Sequence, residues 1–210
     1  MSGPLISWVN RCDDTECRDI YLDDILSKIK NGTWQGEVDK YRAACRASKN
    51  GKAAKEWVPA FTPSGRFKVR NEKGLVAHSE VIIADLDKLG DERQTVQKQL
   101  ESSPHVYSVY ASTGGNGLKA LFHVAMEDPA RQHHDAFRAV DKYVFELTGK
   151  RIDKGGKDVC RLCAVSSDPK IYVNRFPCRW NRCHRNRHGQ RRPLATDRNL
   201  PRRRFARCWR

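Results

Sequence analysis

No apolar run in this chain approaches the roughly 20 residues needed to cross a bilayer as a helix. The N-terminal MSGPLISWVNRCDD has neither the basic start nor the apolar stretch of a secretory signal, so the chain reads as cytoplasmic. No Gly-Lys-Ser/Thr follows a glycine-rich turn at Walker spacing, and no dinucleotide fingerprint is present, which removes P-loop and Rossmann chemistry from the expected functions. No internal repeat is visible. Lysine is missing from residue 175 onward, where 13 arginines stand against one acidic residue, Asp197, and apolar periodicity is lost. That stretch carries +12 of the formal +15, leaving residues 1–174 with +3.

A basic balance is the usual footprint of a nucleic-acid partner, but its location changes its meaning. The arginine-rich segment reads either as a disordered arm that neutralises phosphates or as the product of a reading-frame change. The chain therefore reads as one domain over residues 1–174, which carries the candidate chemistry, and an irregular basic tail over 175–210. Eight cysteines without an export signal suggest reduced thiols or metal ligands. Cys160 and Cys163, with Cys178, Cys183 and His184, could form a zinc site on paper. The first pair, however, lies in DVCRLCAVSSDP, whose alternation predicts a strand, and residues three apart on a strand point to opposite faces.

Apolar periodicity predicts a helical N-terminal part and a mixed middle. DIYLDDILSKIKNG places Ile20, Ile25 and Ile29 at helical spacing and stops at Asn31-Gly32, and WQGEVDKYRAACRASKNGKAAKEW is a second, basic helix candidate broken near Asn50-Gly51. VPAFTPSGRFKVR suits a loop and a strand, and EKGLVAHSEVIIADLD leads into the main strand. A helix at DERQTVQKQLESS, strands at HVYSVYAS and LKALFHVAM around a TGGNG turn, and a long helix over DPARQHHDAFRAVDKYVFELTG follow. A strand pair is predicted at KDVCRLCAVSSDPKIYVN.

Three segments carry candidate chemistry. Asp85 and Asp87 share a face at the end of a buried strand, and two neighbouring anions call for a cation such as Mg2+ or Mn2+ between them. The alternative is a strand leaving the core into a polar turn. In STGGNGLK a small-residue turn lets backbone N–H groups approach an anion, and Lys119 and His123 alternate along the next strand; a hairpin with a solvated lysine is the competing reading. In RIDKGGKDVCRLCAVSSDP, Asp153 supplies a third carboxylate and Arg161 a phosphate-matching fork, against a surface ion pair and a Ser-Asp-Pro turn.

The order VIIADLD, then STGGNGLK, then Asp153 ahead of RLCAVSSDP, resembles the primase-polymerase domains of the archaeo-eukaryotic primase superfamily, most closely the VirE N-terminal type of phages and bacterial mobile elements. The upstream WVPAFTPSGRF fits as well, so the resemblance covers roughly residues 20–174. It implies an α+β fold, an RNA-recognition-motif-like core with an additional α/β module, and metal-dependent nucleotidyl transfer in replication of a phage or mobile element. On that resemblance Asp85, Asp87 and Asp153 hold Mg2+ or Mn2+, with Asp158 and Asp168 near enough in sequence to compete for the third place. Ser112, Gly117, Lys119, His123, Arg161 and Ser166 surround the nucleoside triphosphate, Lys119 standing where many relatives have histidine. Lys49, Lys52, Lys55 and Arg66 are expected to hold a single-stranded DNA template through its backbone, with a helicase supplied in trans. Two further readings are an inactive relative that only binds single-stranded DNA and a zinc-dependent DNA-binding module.

Overall fold

VIIADL and VYSVYA are buried at almost every position, as expected of strands covered on both faces. In the computed structural model, which describes residues 3–48 and 55–181, they lie at the centre of a mixed α+β fold. In chain order the elements are β1 (Leu5–Val9), β2 (Arg18–Tyr21), α1 (Leu22–Lys30), α2 (Gln35–Ala47), β3 (Ala60–Thr62), β4 (Gly65–Phe67), β5 (Leu75–His78) and β6 (Val81–Leu86). They continue as α3 (Arg93–Glu101), β7 (Val106–Ala111), β8 (Leu118–Ala125), α4 (Pro129–Thr148), β9 (Cys163–Ala164), β10 (Tyr172–Val173) and β11 (Trp180–Asn181).

The main sheet runs β10-β7-β8-β6, all antiparallel, and β11 lies parallel to the last residues of β8. A second antiparallel sheet, β2-β1-β3-β9, forms from the N-terminal part, and β4 and β5 make a separate hairpin. Strand alternation gives the main sheet two different faces. Ile82, Ala84, Leu118, Ala120 and Phe122 point to α3 and α4, where Val96, Leu100, Phe137, Val140 and Val144 cover them. Val81, Ile83, Tyr110 and Leu121 point the other way, to Ile6, Phe61, α1 and α2.

Local chemistry sets the helix ends. Asp128 caps α4 by accepting from the Arg131 N–H, Pro129 occupies the first turn, and Gly149 ends the helix at φ 70°. In α1, Asp23 and Asp24 open the helix and Lys28 and Lys30 close it, matching the helix dipole.

Two expectations are corrected. The N-terminal part opens with strands, because Ile20 is claimed by pairing with Ile6 across β1 and β2, and only Ile25 and Ile29 belong to the helix. The strand pair predicted over 157–174 does not pair with itself: β9 joins β3 and β10 joins β7, on different sheets. Residues 175–181, grouped by composition with the tail, pack against the main sheet. Cys178 N–H donates to Pro104 O, Arg179 pairs with Glu80, and Trp180 sits between His105 and Tyr143. The remainder of the tail lies outside the described residues.

A buried histidine pair ties β5 to α4 and to the loop that follows it. Glu80 N–H donates to His78 Nδ1 at 2.8 Å, which leaves His78 Nε2 to donate to His133 Nδ1 at 2.9 Å and His133 Nε2 to donate to Gly156 O at 3.2 Å. Burial and the neighbouring His133 push His78 down from 6.5 to about 3, and burial lowers His133 as well. The unfolded chain therefore binds more protons than the folded one below pH 6.5, and stability is lost as pH falls toward the folded value. From His78 alone, urea melts should show a loss of about 2 kcal/mol between pH 7 and pH 5. A flat stability over that range would show that the pair takes up protons inside the fold without penalty.

Candidate functional site

The antiparallel register of β6 and β8 sets Asp85 directly opposite Lys119, on the face turned toward the N-terminal sheet. Lys119 Nζ donates to Asp85 Oδ2 at 2.5 Å, and the two side chains are only 8% and 17% exposed. Burial works against the charge of Lys119, but Cys163 in its thiolate form and the carboxylates of Asp85 and Asp87 outweigh it, and the ammonium titrates above its ordinary range. Burial also pushes the Cys163 thiol up, so the sulfur is neutral at physiological pH and the carboxylates balance the lysine. Cys163 reaches in from β9 and hydrogen-bonds the buried Tyr110 hydroxyl at 3.2 Å, so one polar cluster joins the two sheets. The second Asp85 oxygen, Oδ1, is buried and has no hydrogen-bond partner.

Asp87 lies just beyond β6 and is exposed. Its position depends on the glycine turn before β8. A Cβ on Gly117 would lie 2.3 Å from Leu86 O and 3.2 Å from Asp87 Cα, so only glycine fits. Ser112 is buried and bonds Gly117 twice, its Oγ accepting from Gly117 N–H and its own N–H donating to Gly117 O. Gly115 N–H is likewise used by Ser112 O. These N–H groups are engaged within the turn and do not face an anion. Arg42 of α2, which periodicity did not single out, closes the turn from above by donating from Nε to Thr113 O at 3.0 Å.

Among the three acidic candidates that follow α4, the fold separates one from the others. Asp153 N–H donates to Asp85 O at 2.8 Å, which pins it to the edge of β6. Its Oδ1 accepts from Gly155 N–H and lies 3.5 Å from Arg161, and a Cβ on Gly155 would lie 2.7 Å from both partners. Asp158 accepts from Cys160, and Asp168 accepts from the N–H groups of Ala111 and Lys170. Arg161 sits in an irregular segment, not on the strand expected for it.

Other predicted residues are not brought to this point. Ser166 is fully buried and donates to Ala111 O at 2.6 Å. His123 pairs in register with Val81, about 13 Å along β8 from Lys119, and stands by Glu80 and Tyr107. Arg66 is held by Asp19 at 2.5 Å, and the Lys55 ammonium rests over the Tyr41 ring. Lys49 and Lys52 lie outside the described residues, as do Cys183 and His184. Cys160 bonds Asp158 and Cys163 bonds Tyr110, and among the described residues no group of three or more His, Cys, Asp or Glu forms a metal cluster. Tyr110 and Arg42 were missed because a buried tyrosine and a helix arginine carry no motif.

The donor set nonetheless suits one divalent ion. A buried carboxylate oxygen without a partner, next to an exposed carboxylate, matches a hard cation that keeps water and phosphate among its ligands. Removing Lys119 should be costly, because Asp85 would be left buried without its counter-charge. Lys119→Ala is expected to lose about 3–5 kcal/mol in urea denaturation, and Asp85→Asn in the same chain to restore much of it. Equal losses in the single and double variants would show that packing, not charge pairing, sets the cost.

The family model of the BT4734-like N-terminal domain matches residues 53–173, which contain Asp85, Asp87, the glycine turn, Lys119, Asp153 and Arg161. No curated protein and no solved structure matches the chain. Because the matched span covers more than half of the sequence and runs from the lead into β3 through β10, the chain belongs to the BT4734-like N-terminal domain family.

Proposed function

We propose that the chain is a divalent-metal-dependent nucleotidyltransferase of the primase-polymerase kind, acting on nucleoside triphosphates and a single-stranded DNA template in replication of a phage or mobile element. The observation that carries the reading is the unpartnered, buried Asp85 Oδ1 on the face turned toward the N-terminal sheet, two residues before the exposed Asp87. The chain order β6-α3-β7-β8-α4, with β8 between β6 and β7 and the Asp153 segment returning to the β6 edge, supports an RNA-recognition-motif-like core.

Asp85 and Asp87, with Asp153 held against the same strand edge, would hold Mg2+ or Mn2+. Such an ion lowers the pKa of an attacking hydroxyl and stabilises charge on the transferred phosphate. Lys119 fixes the Asp85 carboxylate and keeps its charge inside the protein, and Arg161, half-exposed beside Asp153, offers a fork to the outer phosphates. A second reading, a relative that binds single-stranded DNA without catalysis, is favoured by one observation: Asp85 Oδ2 is already taken by Lys119.

Extension of a labelled primer on a single-stranded template, with Mg2+ or Mn2+ and mixed nucleotides, separates the two. The native chain is expected to add nucleotides, and both chelation and Asp85→Ala/Asp87→Ala to abolish the addition. No incorporation with either ion, with DNA binding kept by the variant, would establish the binding reading instead.

A further inference from the structure

Outside the carboxylate pair, positive charge and aromatic surface coincide at one place. Over residues 35–48 and 55–57, Lys40, Arg42, Arg46 and Lys55 stand against Glu37, Asp39 and Glu56. Within this stretch Trp57 and Tyr41 lie with ring centroids 6.5 Å apart and planes tilted by 58°. An ammonium rests on each ring, Lys40 at 5.0 Å from the Trp57 centroid and Lys55 at 5.1 Å from that of Tyr41. Neither lysine has a carboxylate within ion-pair distance among the described residues, and each rests on an aromatic face. Trp57 is half-buried against the core, whereas Tyr41 is buried and anchors it.

This patch adjoins the site. Arg42, the residue after Tyr41, holds the glycine turn before β8 through Thr113 O. The same turn packs Gly117 against Asp87 Cα, which links the patch to the carboxylates.

We propose that Trp57, with Lys40 and Lys55, is a stacking platform for single-stranded DNA: a base lies on the indole and the two ammonium groups turn outward to adjacent phosphates. The inference rests on the nucleotidyltransferase reading for its link to the carboxylates, but not for the contact itself. Unpaired bases are the ligand because every base has a face to stack, whereas duplex DNA offers an aromatic ring only its phosphates and base edges. Ammonium groups without carboxylate partners suit a polyanion, since no ion pair has to break when a phosphate arrives.

Fluorescence anisotropy of a labelled oligothymidylate, in chelator and without nucleotides, tests the platform independently of catalysis. Trp57→Leu keeps apolar volume in the core but removes the ring face, and is expected to weaken binding about 5- to 50-fold. Trp57→Phe should stay within about 3-fold of the native chain, and Lys40→Gln/Lys55→Gln should lower the salt slope by about 1.4. Native binding by Trp57→Leu, equal losses in the Leu and Phe variants, or duplex DNA bound as tightly as single strands would each overturn the platform. Failure of primer extension with these binding results intact would remove the polymerase reading and leave the platform standing.

Discussion

The ion pair between Lys119 and Asp85 is the constraint on which the rest of the arrangement depends. Two charges withdrawn from water are tolerated only with close geometry and further partners, and here they are met at 2.5 Å beneath the second sheet. The pair also specifies register. A slip of one residue between β6 and β8 would send the ammonium into the apolar layer of Phe122, Phe137 and Val140, with no anion in reach. It makes the N-terminal module necessary as well, because Cys163 of β9 and Tyr110 are what close the cluster from the far side.

Two segments distant in sequence converge on Asp85 and its neighbours, each through backbone. The glycine turn meets Leu86 O and Asp87 Cα where only hydrogen fits, and the segment after α4 bonds Asp85 O through Asp153 N–H and brings in Gly156, where a Cβ would lie 3.0 Å from Ile83 O. The histidine pair then fixes Gly156 from the side of β5 and α4. The carboxylates are thus placed by main-chain contacts that tolerate no side chain, while Asp87 itself stays exposed. Such an arrangement keeps a polar, open position on a rigid base, as a ligand site requires.

Most helices and the two central strands were legible because their apolar periods are long and their ends carry punctuation, as at Asp128-Pro129 and Gly149. The N-terminal strands were not, since DIY and LISWV are too short for periodicity to outweigh the helical run that follows, and pairing with β3 decided the matter. The placement of Asp85 and Asp87 at the end of a strand was readable from alternation, whereas the return of Asp153 to that strand edge is a tertiary contact that no local pattern encodes. The roles of Ser112, Ser166 and His123 were not legible either: the first two face backbone groups they bond, and the third is displaced along the strand by two further alternations. Sequence spacing places residues on a face but does not say how far along it the chemistry extends.

On the proposed reading, the charge balance explains why lysine is compatible with the site. Asp85, Asp87 and Asp153 stand against Lys119 and Arg161, a formal balance of −1 among groups linked by the contacts described. One divalent ion would turn that balance to +1, so the same set that attracts a cation would then favour a polyphosphate. With an imidazole in place of Lys119, neutral above its ordinary range, the unliganded site would stand at −2 and Asp85 would lose its fixed counter-charge. A buried ammonium therefore lowers the pull on the metal but keeps the carboxylate ordered before any metal arrives. Affinity for the ion is weakened in exchange for a ligand already in place, and the polyanionic substrate becomes a partner in holding the metal rather than a consequence of it.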